Sequence, residues 1–215
     1  MEKLQKEGYS TFLNQYFKEN EELFSNLSKK QKPHTMMITC SDSRINPALL
    51  LNAKPGELFI ARNIGNVVPP YLPAKGSTQA AIEYAVNVLN IPKIVVLGHS
   101  NCGACAHMYH QHQEDDPSLP HVENWLQYIV PAKSAAMLEV HANQHKNIFE
   151  LTEKHNVVSS LQRLMEYPYI QTRLEKDEIS LEGWWYDIGS GRVEIYNFNT
   201  RDFEPVIEPA LEEVN

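Results

Sequence analysis

The sequence predicts an α/β fold: a mostly parallel central sheet flanked by helices, with an N-terminal helical arm and a C-terminal edge hairpin. Short apolar runs of strand length at residues 35–40, 57–62 and 93–97 alternate with segments of helical periodicity. Such alternation is typical of an open parallel sheet covered on both faces. Residues 179–187 and 192–198 alternate in part between apolar and polar side chains across a Gly-Ser-Gly turn, which predicts an antiparallel hairpin.

The first helical segment covers residues 2–29, where apolar side chains recur among charges at helical spacing. We therefore expect an arm of one or two amphipathic helices over residues 1–30, ended by Pro33. The apolar face of this arm would lie either on its own domain or on a second subunit.

Further helices are predicted from their caps and apolar faces. A short helix is expected to begin at Asn46 and Pro47, with the asparagine as cap and the proline in the first turn. After a proline-rich loop at residues 67–76, Ser77 is expected to cap a longer helix. Beyond Cys105 a further helix is expected to run on through Tyr109 into the polar tract 110–117, and two more are predicted over residues 121–139 and 147–166.

Length and composition limit the classes of function. At 215 residues the chain is long for one small domain and short for two, so we expect a single domain over residues 1–215. The formal net charge is −8 and no basic cluster is evident, so a nucleic-acid partner is not expected. No apolar run approaches the roughly 18 residues that span a bilayer, and the N-terminus lacks the apolar stretch of a signal peptide. We expect a soluble, cytoplasmic protein without a membrane partner.

The chain has three cysteines, Cys40, Cys102 and Cys105, which are too few for a disulfide framework. Two of them lie one helical turn apart after the apolar run 93–97, where metal ligation or redox chemistry is the expected use. Free thiols of this kind indicate a reducing compartment.

Two of the predicted strands end in residues that bind metals. Cys40 ends the first strand, and His99 ends the third, with Cys102 three residues further on. In open parallel sheets, ligands bind outside the carboxyl ends of the strands, so these side chains meet if the two strands are neighbours. Two thiolates and one imidazole with a free fourth position are typical of a catalytic zinc site.

The segments that carry these residues resemble a known family. Residues 40–44, Cys-Ser-Asp-Ser-Arg, and residues 98–103, Gly-His-Ser-Asn-Cys-Gly, resemble the paired signature of the β class of carbonic anhydrases. Residues 55–57, 62–66 and 81–85 resemble the motifs between them. The resemblance implies reversible hydration of carbon dioxide to bicarbonate and a proton by a zinc-bound hydroxide. It also implies one zinc ion per subunit and homodimers or dimers of dimers, with which the N-terminal arm is expected to associate.

Two residues between the metal ligands are expected to be catalytic. The Asp42 carboxylate would accept a hydrogen bond from the zinc-bound hydroxide and aim its lone pair at the substrate carbon. Arg44 would hold Asp42 through a bidentate ion pair, and the resemblance implies the same pair.

The substrate pocket is expected to be apolar with one or two hydrogen-bond donors, because carbon dioxide is small and apolar. By resemblance, Phe59, Ile64 and Tyr84 match pocket positions, and the Gln31 amide matches a donor to a bicarbonate oxygen. The Gly103 backbone lies at the metal turn. In the family, several of these positions come from the neighbouring subunit.

Three alternatives remain open at this point. A relative on the same scaffold could hydrolyse carbon disulfide or carbonyl sulfide, which are also linear and apolar. A non-catalytic zinc-binding assembly subunit is a second possibility, against which the Asp42 and Arg44 pair argues. A disulfide oxidoreductase would use Cys102 and Cys105, but it leaves Cys40 and Asp42 unexplained.

Overall fold

A six-stranded sheet in the order β2-β1-β3-β4-β5-β6 forms the centre of the computed structural model, which describes residues 2–72, 76–111 and 117–206. β1 pairs in parallel with β2 and β3, and β3 pairs in parallel with β4. β5 and β6 are antiparallel. The strands are β1 (Thr35–Cys40), β2 (Leu58–Asn63), β3 (Lys93–His99), β4 (Ser180–Tyr186), β5 (Val193–Asn197) and β6 (Asp202–Pro205). The predicted mostly parallel sheet and the predicted hairpin are confirmed.

The helices flank this sheet as predicted. They are α1 (Lys3–Thr11), α2 (Glu21–Leu27), α3 (Pro47–Leu50), α4 (Ser77–Glu83), α5 (Gly103–His107), α6 (Pro120–Leu126), α7 (Val130–Ala142), α8 (Ile148–Met165) and α9 (Pro168–Leu174). Within the three described ranges, no helix combines the length and the apolar character that a membrane span requires.

The helix boundaries differ from prediction at three places. The helix predicted over residues 121–139 is divided into α6 and α7 by a 3₁₀ turn, because Pro131 at the start of α7 has no N–H to continue the helix. Gly76, rather than Ser77, is the N-cap of α4. α5 ends at His107, short of the predicted end. Residues 73–75 of the proline-rich loop lie outside the described residues.

Strands β1 and β3 are buried along nearly their whole length, which explains their continuous apolar runs. One face of the sheet packs against α4, α8 and α9 around a core that includes Ile38, Val96 and Leu161. The register pairs Thr39 with Leu97, so β1 and β3 end at the same edge. Cys40 and His99 are therefore neighbours in space, as the sequence predicts.

Side chains of helix α8 pack directly against two strand residues that are glycines. A Cβ at Gly98 would lie 2.6 Å from Val157 Cγ2, and one at Gly183 would lie 2.6 Å from Leu161 Cδ1. Real Cβ atoms do not approach this closely in a packed interior. The glycines thus set the distance between α8 and the carboxyl ends of β3 and β4.

Gly183→Ala is expected to lower the free energy of unfolding by about 1–3 kcal/mol, because the added methyl group overpacks the contact with Leu161. Urea denaturation of the purified protein measures this change. Gly189→Ala is the matched control, since the nearest atom to its Cβ would be 3.6 Å away in ordinary contact. Equal stability of the two variants would contradict the close approach of α8.

The N-terminal arm is helical, as predicted, with a π-helical turn at Phe12–Phe17 between α1 and α2. None of the residues described in these three elements is buried. The arm packs mainly through its own aromatic rings, for example Phe17 stacked on Phe24 at a centroid distance of 4.9 Å. Its apolar side chains are therefore exposed or only half-buried in the single chain.

Candidate metal centre

Three side chains that bind metals meet at the carboxyl edge of the sheet. Cys40 ends β1, His99 ends β3, and Cys102 is the N-cap residue of α5. Their candidate ligand atoms all lie within 4.8 Å of one another, and all three residues are buried. The predicted metal-binding trio is thus brought together in one cluster.

The orientation of His99 fits a metal ligand. Its Nδ1 lies 2.9 Å from the carbonyl oxygen of Ser100, which fixes Nδ1 as the protonated nitrogen. Its buried Nε2 has no hydrogen-bond partner among the described residues. A buried nitrogen with a free lone pair beside two thiols is the donor set that zinc prefers.

The protonation of the cluster follows from its crowding. Hydrogen bonding with Cys102, together with burial, raises the pKa of the Cys40 thiol to about 12. Hydrogen bonding with Cys105 is the main reason that the pKa of Cys102 is also raised, to about 12. Burial lowers the pKa of His99, but the nearby Cys40 thiol and the Ser100 carbonyl oxygen outweigh it and raise the pKa overall. A divalent cation would have to displace the two thiol protons on binding.

Asp42 and Arg44 form the bidentate pair that the sequence predicts. Arg44 Nε donates to Asp42 Oδ1 at 2.9 Å, and Arg44 Nη2 donates to Asp42 Oδ2 at 2.8 Å. The guanidinium holds the pKa of Asp42 well below its usual range. Arg44 Nη2 also donates to the carbonyl oxygen of Asn101 at 3.0 Å, so it links the loop after Cys40 to the loop before Cys102.

Arg62 and Gly65 hold the Cys40 loop from the side of β2. Arg62 donates to the carbonyl oxygens of Cys40 and Asp42, at 3.1 Å in each case, and also to that of Ile45. The Gly65 N–H donates to Cys40 Sγ at 3.4 Å from a backbone with φ of 76°, a conformation that favours glycine. These contacts orient the thiol of the first cysteine.

Two of the expected substrate residues lie beside the cluster. Gly103 is the first residue of α5 and directly follows Cys102. Ile64 follows β2 and lines a cavity of about 370 Å³ whose wall also includes Ser41, Thr78 and Trp125. Trp125 Nε1 donates to the Ile64 carbonyl oxygen at 2.7 Å. A wall that combines apolar side chains with several polar ones suits a small apolar molecule that also accepts a hydrogen bond.

The other three expected substrate residues lie away from the metal-binding cluster of their own chain. Phe59 pairs with Met36 in the register, four residues or about 13 Å along β2 from Asn63, which lies opposite Cys40. Tyr84 stacks on Phe59 with a centroid distance of 6.1 Å, so it lies beside that residue. Gln31 is exposed before the amino end of β1. One chain does not bring these three side chains to its own metal centre.

Sequence reasoning missed two polar residues on α8 that support the cluster. Glu153 is buried and accepts from the Cys102 N–H at 2.9 Å and from Trp185 Nε1 at 3.1 Å. Burial raises its pKa to about 7, although these hydrogen bonds act in the opposite direction. Asn156 Nδ2 donates to the Gly65 carbonyl oxygen at 2.6 Å. The sequence did contain a sign of Glu153: it lies four residues before Val157, so a carboxylate falls within the apolar stripe of the predicted helix, where a charged side chain is unusual.

The fold and the site together define the class of protein. An α/β sheet whose carboxyl edge carries a buried Cys-His-Cys cluster, with an Asp–Arg pair beside it, is the architecture of a metal-dependent α/β enzyme.

Comparison with known proteins narrows this class to one family. A family model described as carbonic anhydrase matches residues 35–193. A carbonic anhydrase of Helicobacter pylori is 38% identical over 215 residues, covering 97% of this chain and 96% of the relative. The solved structure of the β-carbonic anhydrase CcaA superposes with a TM-score of 0.85 at 36% identity, covering 95% of this chain and 91% of that one. The chain belongs to the β class of carbonic anhydrases, and it is therefore an enzyme.

A second solved structure is one of two tetrameric β-carbonic anhydrases from the fungus Sordaria macrospora. It superposes with a TM-score of 0.79 at 28% identity and covers 89% of this chain and 94% of that one.

Proposed function

We propose that Cys40, His99 and Cys102 bind one zinc ion per subunit and that the chain thereby catalyses the reversible hydration of carbon dioxide to bicarbonate and a proton. The observation that carries this proposal is the convergence of two thiols and an unpartnered imidazole nitrogen within 4.8 Å. When bound, zinc supplies Lewis-acid activation of water at neutral pH. Three protein ligands leave a fourth position free, as catalysis requires.

The Asp–Arg pair orients the reacting water in this proposal. Asp42 is ionised and hydrogen-bonded to Arg44 on both oxygens, so its carboxylate has a fixed direction. Fixed in this way, it accepts a hydrogen bond from the attacking water and directs a lone pair toward the carbon of carbon dioxide. Ile64 and the neighbouring apolar wall hold the substrate.

The substrate pocket is completed by a second copy of the chain. Gln31, Phe59 and Tyr84 lie far from their own cluster, which is expected if each serves the site of a partner subunit. The edge strand β2 and the turn after α4 expose apolar side chains, with Ile60 40% and Val88 57% exposed. Burying such side chains favours association. We propose a homodimer, or a dimer of dimers, that buries this surface and the arm.

Removing the arm, residues 2–29, is expected to shift the protein toward monomers, because none of the described arm residues is buried in its own chain. Light scattering after gel filtration measures the mass. Leu138→Glu serves as the control, since Leu138 is a 73% exposed apolar residue on α7. An unchanged mass of the truncated chain would show that the arm does not contribute to assembly.

Stopped-flow hydration of carbon dioxide, with the zinc content of the same sample, tests the proposed activity. We expect one equivalent of zinc per chain and a hydration rate that is lost with a chelator and restored by zinc. Hydrolysis of carbon disulfide or carbonyl sulfide without hydration of carbon dioxide would favour a hydrolase on the same scaffold. Zinc without either activity would favour the assembly subunit. The comparisons, which match carbonic anhydrases, favour neither alternative.

The proposed location is the cytoplasm. Cys40, Cys102 and Cys105 are all free thiols, and two of them are required as metal ligands. Thiols persist in reducing compartments.

A further inference from the structure

The peptide bond that leads into Cys102 is held at both of its polar atoms. Arg44 Nη2 donates to the carbonyl oxygen of Asn101 at 3.0 Å. The N–H of the same peptide unit, which belongs to Cys102, donates to Glu153 Oε1 at 2.9 Å. A peptide unit is planar, so fixing its oxygen and its hydrogen fixes the plane. That plane sets the direction in which the Cys102 side chain leaves the backbone.

This peptide needs external support because its own backbone is irregular. Asn101 adopts a left-handed conformation with φ of 56°, and Cys102 is extended before the first turn of α5. Left-handed backbone is unfavourable for residues other than glycine, although asparagine tolerates it best. Ser100, within the same turn, is held from β4, since its N–H donates to the Tyr186 carbonyl oxygen at 2.9 Å. The Asn101–Cys102 peptide is held instead by Arg44 and Glu153.

Glu153 is a costly residue for this position unless its carboxylate has a role. It is 3% exposed and lies on the same face of α8 as Val157 and Leu161, which belong to the main core. A buried carboxylate loses its hydration, and a leucine would fill the stripe without that loss. Both carboxylate oxygens are used, one by Cys102 and one by Trp185 Nε1. In the described part of the chain, no cationic side chain lies within ion-pair distance of it.

We propose that Glu153 is a positioning residue of the metal centre. Together with Arg44, it fixes the Asn101–Cys102 peptide so that the Cys102 thiol points at the metal position before the metal binds. Glycines 98 and 183 make this contact possible, because they let α8 approach the ends of β3 and β4. The inference rests on the proposed zinc site and adds a residue outside the signature motifs.

Zinc affinity of the full-length protein, measured by competition with a chromophoric chelator, tests the proposal. A glutamine at position 153 has one acceptor oxygen for two donors, Cys102 N–H and Trp185 Nε1. Glu153→Gln is therefore expected to raise the zinc Kd by about 10- to 100-fold, the usual cost of losing an outer hydrogen bond at a metal site. In the cobalt-loaded protein, the thiolate-to-metal absorption should weaken as well.

The double variant Glu153→Gln with Trp185→Phe separates positioning from mere structural support. Removing the Trp185 donor frees the glutamine oxygen for Cys102, so the zinc Kd should return to within about threefold of that of Trp185→Phe alone. Glu150→Gln is the matched control on the same helix, because Glu150 pairs with Lys154 and makes no contact with Cys102. Its zinc Kd should be that of the wild type.

An unchanged zinc Kd in Glu153→Gln, or no recovery in the double variant, would overturn the proposal. If circular dichroism shows that Glu153→Gln does not fold, Glu153→Asp replaces it under the same criteria, since its shorter side chain cannot reach both donors. Wild-type protein that binds zinc without hydrating carbon dioxide would contradict the proposed function only. The role of Glu153 is judged from metal affinity, so the two failures are distinguishable.

Discussion

Cys102→Ser is expected to purify with only traces of zinc and to lose more than about 100-fold of its hydration activity. This loss exceeds the one expected when a hydrogen bond to a metal ligand is removed. A serine hydroxyl is not ionised at neutral pH and does not replace a thiolate ligand. Metal analysis and stopped-flow hydration of the same sample measure both effects. The expectation follows from the position of Cys102 in the cluster with Cys40 and His99.

Cys105→Ala is the matched control for this substitution. Cys105 is equally buried and lies one turn further along the chain in α5, but it is not part of the cluster. The variant should keep its zinc and its activity. Loss of zinc from Cys105→Ala with retention in Cys102→Ser would show that the ligand set has been assigned to the wrong cysteine.

Asp42→Asn is expected to keep its zinc and to lower kcat by about 100-fold, the usual cost of a misoriented reacting group. The asparagine amide group presents an NH₂ to Arg44, so one arm of the bidentate contact becomes repulsive. Stopped-flow kinetics at saturating carbon dioxide, together with zinc analysis, separates this effect from metal loss.

Asp177→Asn provides the comparison for Asp42→Asn. Asp177 is an exposed aspartate before β4, at the opposite end of the strands from the metal centre, and asparagine tolerates its positive φ of 55°. Its kinetics should match those of the wild type. Full activity of Asp42→Asn with zinc bound would remove Asp42 from the mechanism.

Much of the site could be predicted from the sequence because its residues lie at the ends of regular strands. A continuous apolar run predicts a buried strand, and the residue that ends it reaches the edge of the sheet. Cys40 and His99 are such residues, and their encounter needs only that β1 and β3 are neighbours. The Asp42–Arg44 pair is local in sequence, so its geometry was equally accessible.

The supporting contacts could not be predicted in this way because they depend on tertiary distances. Glu153 reaches Cys102 across 51 positions of sequence, and Arg62 reaches Cys40 across 22. Neither contact follows from periodicity. The sequence pattern also did not predict the edge strand β6 or helix α9. The strand has only four residues, Asp-Phe-Glu-Pro, with no apolar alternation of useful length.

The expected substrate residues were predictable only in part. Their assignment is a prediction from the family resemblance, and the proposed pocket needs a second subunit to bring them together. Ile64 and Gly103 lie beside the cluster, whereas Phe59 and Tyr84 form a separate stack on the side of β2. A single chain therefore explains the metal centre and only part of the proposed pocket.

X-ray absorption spectroscopy at the zinc edge of the loaded wild-type protein tests the central proposal most directly. We predict two sulfur ligands at about 2.3 Å, one nitrogen at about 2.0–2.1 Å, and one light atom from solvent. Three sulfur ligands, or four protein ligands that leave no open position, would contradict the assignment of a catalytic zinc site to Cys40, His99 and Cys102.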